Sequence, residues 1–161
     1  MDKAEVLFEK LAAYGADLED YWDYGKDLVK HKIDVYQAGR QLSVPRVKLL
    51  VHDLDKFLPK MFMRYAEWFY GPQGQKGSKN PKLKNEWGIK IREHYARSPH
   101  HAHKVGKPKD VATELESLAD WYSAKKRSSA NVPGFPTFRT WLDNNIDRYN
   151  ISEEAKSIAK S

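Results

Sequence analysis

LLVHDLDKF, residues 49–57, sets two ionisable side chains at the end of an apolar run. Leu49, Leu50 and Val51 are followed at once by His52 and Asp53. Burying a carboxylate beside an imidazole is costly unless a partner offsets it. The pair is therefore a surface accident, an internal hydrogen bond, or part of a metal site. Upstream, Ser43 suits a helix cap and Pro45 suits a first helical turn. The spacing of Val47, Leu50 and Val51 predicts a short helix that ends around the His-Asp pair and buries Leu49, Leu50 and Val51. Adjacent side chains on a helix point roughly 100° apart, so both reach one ion only from the helix rim or its end.

Outward from this stretch the chain reads as helices. Val6, Leu7, Leu11 and Ala12 share a face over 3–14, and Gly15 punctuates. Residues 17–41 carry Leu18, Tyr21, Trp22, Leu28, Ile33, Val35 and Tyr36 at mostly helical spacing. Pro59 opens a further helix, stopped by Gly71 and Pro72. Residues 71–85, GPQGQKGSKNPKLKN, read as a loop, and a helix follows from about Glu86 to Arg97. SPHHAHKVGKPK reads as an irregular connection. Asp110 then caps a helix through Arg127, and shorter helices follow near 137–145 and from Ser152. No alternating run is long enough for a strand. The expected fold is all-α, one domain over 1–161, with a core about 17–127 and a C-terminal helical extension 137–160.

The totals agree with a globular chain. It has 161 residues, 40% of them hydrophobic, enough to bury a core. The net charge of +6 favours anionic partners without choosing among them. With no cysteine, thiolate zinc sites are excluded, and any metal must be held by His, Asp or Glu. The start, MDKAEVLFEKL, lacks a secretory apolar core, and no run approaches a membrane span. The expectation is a soluble, cytoplasmic protein with no membrane partner.

Three stretches offer ligands. His31 lies inside the long helix, where it is either a core histidine bonded to a carbonyl or a metal ligand. Asp120 lies in ESLADWYSAKKR among Leu118, Ala119, Trp121 and Tyr122 and needs a partner, either a Lys or Arg or a metal. With His52 and Asp53 these make two imidazoles and two carboxylates. Such a nitrogen and oxygen set suits Mn, Fe, Co, Ni or Zn, with Mg also compatible.

The order of these residues resembles the HD superfamily of metal-dependent phosphohydrolases, whose cores are all-helical. A first His, a later His-Asp pair and a last Asp match His31, His52–Asp53 and Asp120. VHDLDKF is similar to the family's His-Asp-x-x-Lys form, and LADWYSAKKR to its last-ligand segment. WFYG at 68–71 and PHHAH at 99–103 resemble the order in a poorly characterised phage and bacterial branch. The resemblance covers residues 20–127 and implies an HD-like bundle of about six to eight helices. HD-type 5′-nucleotidases tend to carry a Glu four positions after the motif His. This chain departs from that pattern, with Lys56 there and Asp55 before it.

The resemblance implies one or two divalent ions on His31, His52, Asp53 and Asp120, with Asp53 bridging if there are two. It implies hydrolysis of a phosphoester, in a nucleotide or similar small substrate, by a metal-activated water. Lys56 would hold a phosphate oxygen, and Asp55 would act as acid or base. His100 and His101 would contact substrate or add ligands, while His94 ranks lower. Trp22 is the aromatic chosen as a base-stacking candidate. Two rivals are a nucleic-acid-binding helical module, favoured by the charge, and an inactive ligand-binding fold. A homo-oligomer is compatible with all three.

Overall fold

The computed structural model describes residues 15–74, 80–129 and 133–161. The helix expected over 3–14 and the loop lysines Lys76 and Lys79 lie outside the described residues. Among those described there are seven α-helices and no strand. They are α1 (Leu18–Gln41), α2 (Arg46–Val51), α3 (Pro59–Phe69), α4 (Pro81–Arg97), α5 (Val111–Ser128), α6 (Phe138–Asn145) and α7 (Glu153–Lys160). Short 3₁₀ turns cover Leu54–Phe57, Pro99–Val105 and Ile146–Arg148. The chain is all-helical as expected, and no helix among the described residues is long and apolar enough to cross a membrane.

Contacts divide the chain into two compact units. The first takes the described residues up to Leu28 and those of Asp53–Arg97. The second takes Val29–His52 and the described residues of Ser98–Ser161.

The first unit is built on aromatics. Tyr24, Leu28, Met61, Tyr65 and Ala66 are buried together. The Tyr24 ring meets Phe62 edge-on at 4.9 Å, and Trp87 meets Tyr65 at 4.6 Å. Such pairs add about 0.5–1.5 kcal/mol each beyond burial. Helix α4 begins five residues before the expected Glu86. Asn80 accepts from the backbone N–H groups of Lys82 and Leu83, and Pro81 needs no donor in the first turn. Leu83, placed in a loop by composition, is fully buried. The glycines and lysines of 71–85 hid this start.

The second unit has the larger apolar core. Val35, Ala38, Leu42, Val44 and Leu49 pack with Leu115, Leu118, Ala119 and Tyr122 of α5. Phe138, Trp141, Leu142, Ile146, Ile151, Ala155 and Ala159 belong to the same cluster. Residues 137–160 are thus part of this core and not an appendage to it. Gly39 lets Leu49 approach, since a Cβ there would lie 2.4 Å from a Leu49 methyl.

Around α2 the local expectations need correcting. Ser43 is no cap. It adopts φ 57°, Pro45 occupies the N-cap, and no side chain caps the helix. The left-handed residue costs roughly 1–2 kcal/mol. It accompanies the burial of both Leu42 and Val44, each worth about 1.5–3 kcal/mol. Of the run Leu49, Leu50 and Val51, only Leu49 is buried, and the other two are more than half exposed. Six helical residues turn only a narrow face inward. PHHAHKV is also more ordered than expected, as a 3₁₀ turn ending at Gly106 with φ 70°.

Candidate metal centre

Helix α1 repeats buried residues at Tyr24, Leu28, His31, Val35 and Ala38, the four-three spacing of a core stripe. His31 takes a core position in it and is 4% exposed. Helix α2 stops at Val51, and Lys32 donates to the terminal carbonyls of Leu50 and His52, both at 2.7 Å. A cation on these orphan carbonyls also suits the helix dipole. His52 has left helical geometry, and Asp53 adopts φ 56°, ψ 20°, a conformation Asp tolerates better than most residues. The two therefore leave a reversing backbone instead of a regular helix.

Helix α5 supplies the opposite wall within the second unit. Glu116, Asp120 and Ser123, at intervals of four and three, share one face, and all are buried. His52 Nδ1 lies 2.9 Å from Glu116 Oε1, and His31 Nδ1 lies 2.8 Å from Ser123 Oγ. The Ser123 hydroxyl donates to the His31 carbonyl at 3.3 Å.

These contacts favour one tautomer for each neutral ring. An ionised Glu116 only accepts, so His52 Nδ1 carries the proton. Ser123 spends its proton on the carbonyl, so its oxygen accepts from His31 Nδ1–H. In the neutral rings both lone pairs then sit on Nε2. The two Nε2 atoms face each other at 3.4 Å. Asp120 Oδ1 stands 3.3 Å from His31 Nε2 and 3.6 Å from His52 Nε2. Three electron-rich atoms thus crowd one buried point.

A cation relieves that crowding. Zinc-like bonds of about 2.0–2.1 Å at tetrahedral angles separate neighbouring ligand atoms by about 3.3 Å. The distances found here, 3.3, 3.4 and 3.6 Å, match a triangular face of such a site. The residues present fit a divalent ion. Burial pushes the Asp120 carboxyl up, but when the imidazoles are protonated the hydrogen bonds from His31 and His52 and the charges of His52 and His100 outweigh it, holding it well below the usual range. Glu116 behaves likewise. Burial raises it, and the hydrogen bonds and charge of His100 and His52 bring it down to about 2.

His100 belongs to this cluster. It is 2% exposed, its ring lies 4.2 Å from that of His52, and its Nδ1 lies 3.4 Å from Glu116 Oε1. His52, His100 and Glu116 form a second group able to hold an ion. His101 lies beside His100, with ring centroids 4.2 Å apart, and is half-buried.

The first unit has its own cluster. His94 Nδ1 lies 2.9 Å from Asp55 Oδ2, and His94 Nε2 lies 3.3 Å from Asp53 Oδ1. Lys56 Nζ donates to Asp53 Oδ2 and stands 5.4 Å over the Tyr65 ring. Asp53, Asp55 and His94 also meet the spacing for a bound ion. His94, ranked low from sequence, is fully buried here. Trp22 lies on the exposed side of α1 at 68%, with Lys26 6.0 Å over its ring.

Sequence reading missed Glu116 and Ser123. Residues 116, 120 and 123 do share one helical face, but Glu114, Ser117 and the basic last turn of α5 hide that pattern in the sequence.

No curated protein and no solved structure matches the chain. Residues 20–161 match DUF5662, described as a family of unknown function, and that span begins before His31 and runs past Asp120 to the last residue, so the chain belongs to this family.

Proposed function

We propose that the protein is a metal-dependent phosphohydrolase acting on a phosphoester of a nucleotide or similar small substrate. The observation that carries the reading is the convergence of His31 Nε2, His52 Nε2 and Asp120 Oδ1, with both imidazole tautomers set from behind. The likeness of residues 20–127 to HD phosphohydrolases supplies the reaction class. That likeness also adds Asp53, next after His52 in the chain, as a ligand.

When bound, a divalent cation supplies a nucleophilic water near neutral pH and draws charge from the phosphoryl group. The chain's own residues do the rest. Glu116 and Ser123 hold the two imidazoles in the ligating tautomer. Asp120 balances charge at the point where they meet. In the first unit, Lys56 is the cation assigned to a phosphate oxygen. The Asp55–His94 pair can hold or pass a proton at Asp55 Oδ2 and His94 Nδ1.

Elemental analysis of protein purified without chelator tests the reading, with Asp120→Ala beside the wild type. The expected result is stoichiometric Mn, Fe, Co, Ni or Zn in the wild type and little in the variant. Release of phosphate from nucleotides should fall with it. Undiminished hydrolysis by Asp120→Ala would overturn the proposal.

A further inference from the structure

A basic cleft of about 410 Å³ opens within the second unit, beside the metal-centre helix α5. Its walls include His103, Lys107, Lys109 and Arg148, together with Trp121 and Tyr149. The one carboxylate lining it, Glu114, accepts from the backbone and hydroxyl of Ser152. Three cationic side chains thus face a single committed acid. The volume falls within the range of small-molecule sites, roughly 300–1,000 Å³.

Trp121 and Tyr149 stack at 4.4 Å and 16°. Both also line a neighbouring depression of about 360 Å³, floored by Ala124, Lys125 and Ser128. The stacked pair therefore lines both hollows, the more cationic one with Lys107, Lys109 and Arg148 and the other with Lys125 alone as its cation. Lys109 stands 5.2 Å over the Trp121 ring and donates to Ser117 Oγ at 2.7 Å. Ser117 Oγ in turn donates to the His100 carbonyl at 3.0 Å. Trp121 directly follows Asp120, so the cleft and the metal-centre cluster share the backbone of α5.

We propose that this cleft binds a nucleoside phosphate, its phosphate held by Lys107, Lys109 and Arg148 and its base lying against the Trp121–Tyr149 pair. A doubly charged phosphate suits the three cations that line one cleft, and a planar ring suits the aromatic wall that Trp121 and Tyr149 give it. The inference rests on the phosphohydrolase reading for the use made of the bound nucleotide, but not for the binding itself.

Calorimetric titration of the full chain with adenosine 5′-monophosphate tests it, using adenosine and inorganic phosphate as controls. Each titration is run with and without EDTA. The nucleotide is expected to bind at least about tenfold more tightly than either control, in both conditions. Lys107→Gln and Arg148→Gln alter exposed side chains and should each weaken it about tenfold. Trp121→Leu should reduce binding of the nucleotide but not of inorganic phosphate. Adenosine binding as well as the nucleotide, or Lys107→Gln and Arg148→Gln both binding normally, would overturn the proposal. Binding that persists with EDTA in a chain without turnover supports the cleft while ending the phosphohydrolase reading. Normal turnover and KM in both charge variants does the reverse.

Discussion

The two ionisable clusters look alike by distance and differ in their protons. Asp53, Asp55 and His94 in the first unit pass the same spacing test as His31, His52 and Asp120 in the second. In the first, both nitrogens of His94 face carboxylate oxygens, and Lys56 supplies a cation. The Lys56 ammonium meets the Asp53 carboxylate inside that group. In the second, the hydrogen-bond partners behind the imidazoles turn two lone pairs toward each other and toward a carboxylate oxygen. Proximity of His and Asp is weak evidence for a metal. Which atoms carry the protons is stronger evidence, because it decides whether a cation relieves the site or competes with one already there.

This contrast can be broken most directly by comparing Asp120→Ala with Asp55→Ala. The first should abolish retained metal, while the second should leave metal content near wild type. Equal loss in both, read by elemental analysis, would erase the distinction. Lys56→Met probes the other side. It removes the lysine beside the buried Asp53 carboxylate, which keeps its contact with His94, and should cost about 1–3 kcal/mol in urea unfolding. A loss below about 1 kcal/mol would mean that Asp53 does not depend on Lys56.

Glu116→Gln keeps the size of the side chain but removes the charge that orients His52. Metal affinity should drop about 10–100-fold, measured by competition with a chromogenic chelator. Affinity should also fall on acidification, as it does for any site built from nitrogen and carboxylate ligands that must shed protons to bind a metal. A profile flat between pH 5 and 8 would remove the imidazoles from the ligand set. The smallest effect concerns only the scaffold. Asp110 Oδ1 accepts from Thr113 N–H at 2.7 Å, and hydrogen bonding to Thr113 holds its carboxyl below the usual value. Asp110→Ala should cost about 1 kcal/mol. The native carboxyl is the more acidic one, so this contribution is present above about pH 3.9 and is lost as pH falls through the folded value. A deficit that persists unchanged at pH 2 would point to something other than the cap.

Periodicity exposed the long helices well, because α1 and α5 repeat apolar residues over several turns. It did worse where the signal was short or shared. Leu50 and Val51 look like core in LLV, yet six helical residues cannot bury three in a row. Pro81–Asn85 reads as loop by composition, yet Asn80 caps a helix there. His31, His52 and Asp120 were legible as polar residues in apolar settings, and the fold brings these three together. Glu116 was passed over because a glutamate on a basic protein's helix usually faces water. Only three-dimensional placement reveals that it is 2% exposed against two histidines.

The order in which the chain visits its two units has a consequence for anyone who wishes to divide it. The first unit uses residues up to Leu28 and then Asp53–Arg97, while the second uses Val29–His52 and then Ser98–Ser161. Neither is a contiguous stretch, so no single start or stop codon within the gene yields either one by itself. A fragment ending at Arg97 retains His31 and His52 but loses Glu116, Asp120 and Ser123, whereas one beginning at Ser98 keeps those three and loses both imidazoles. Two such fragments, co-expressed, would have to find each other before the His31, His52 and Asp120 cluster of the second unit could form.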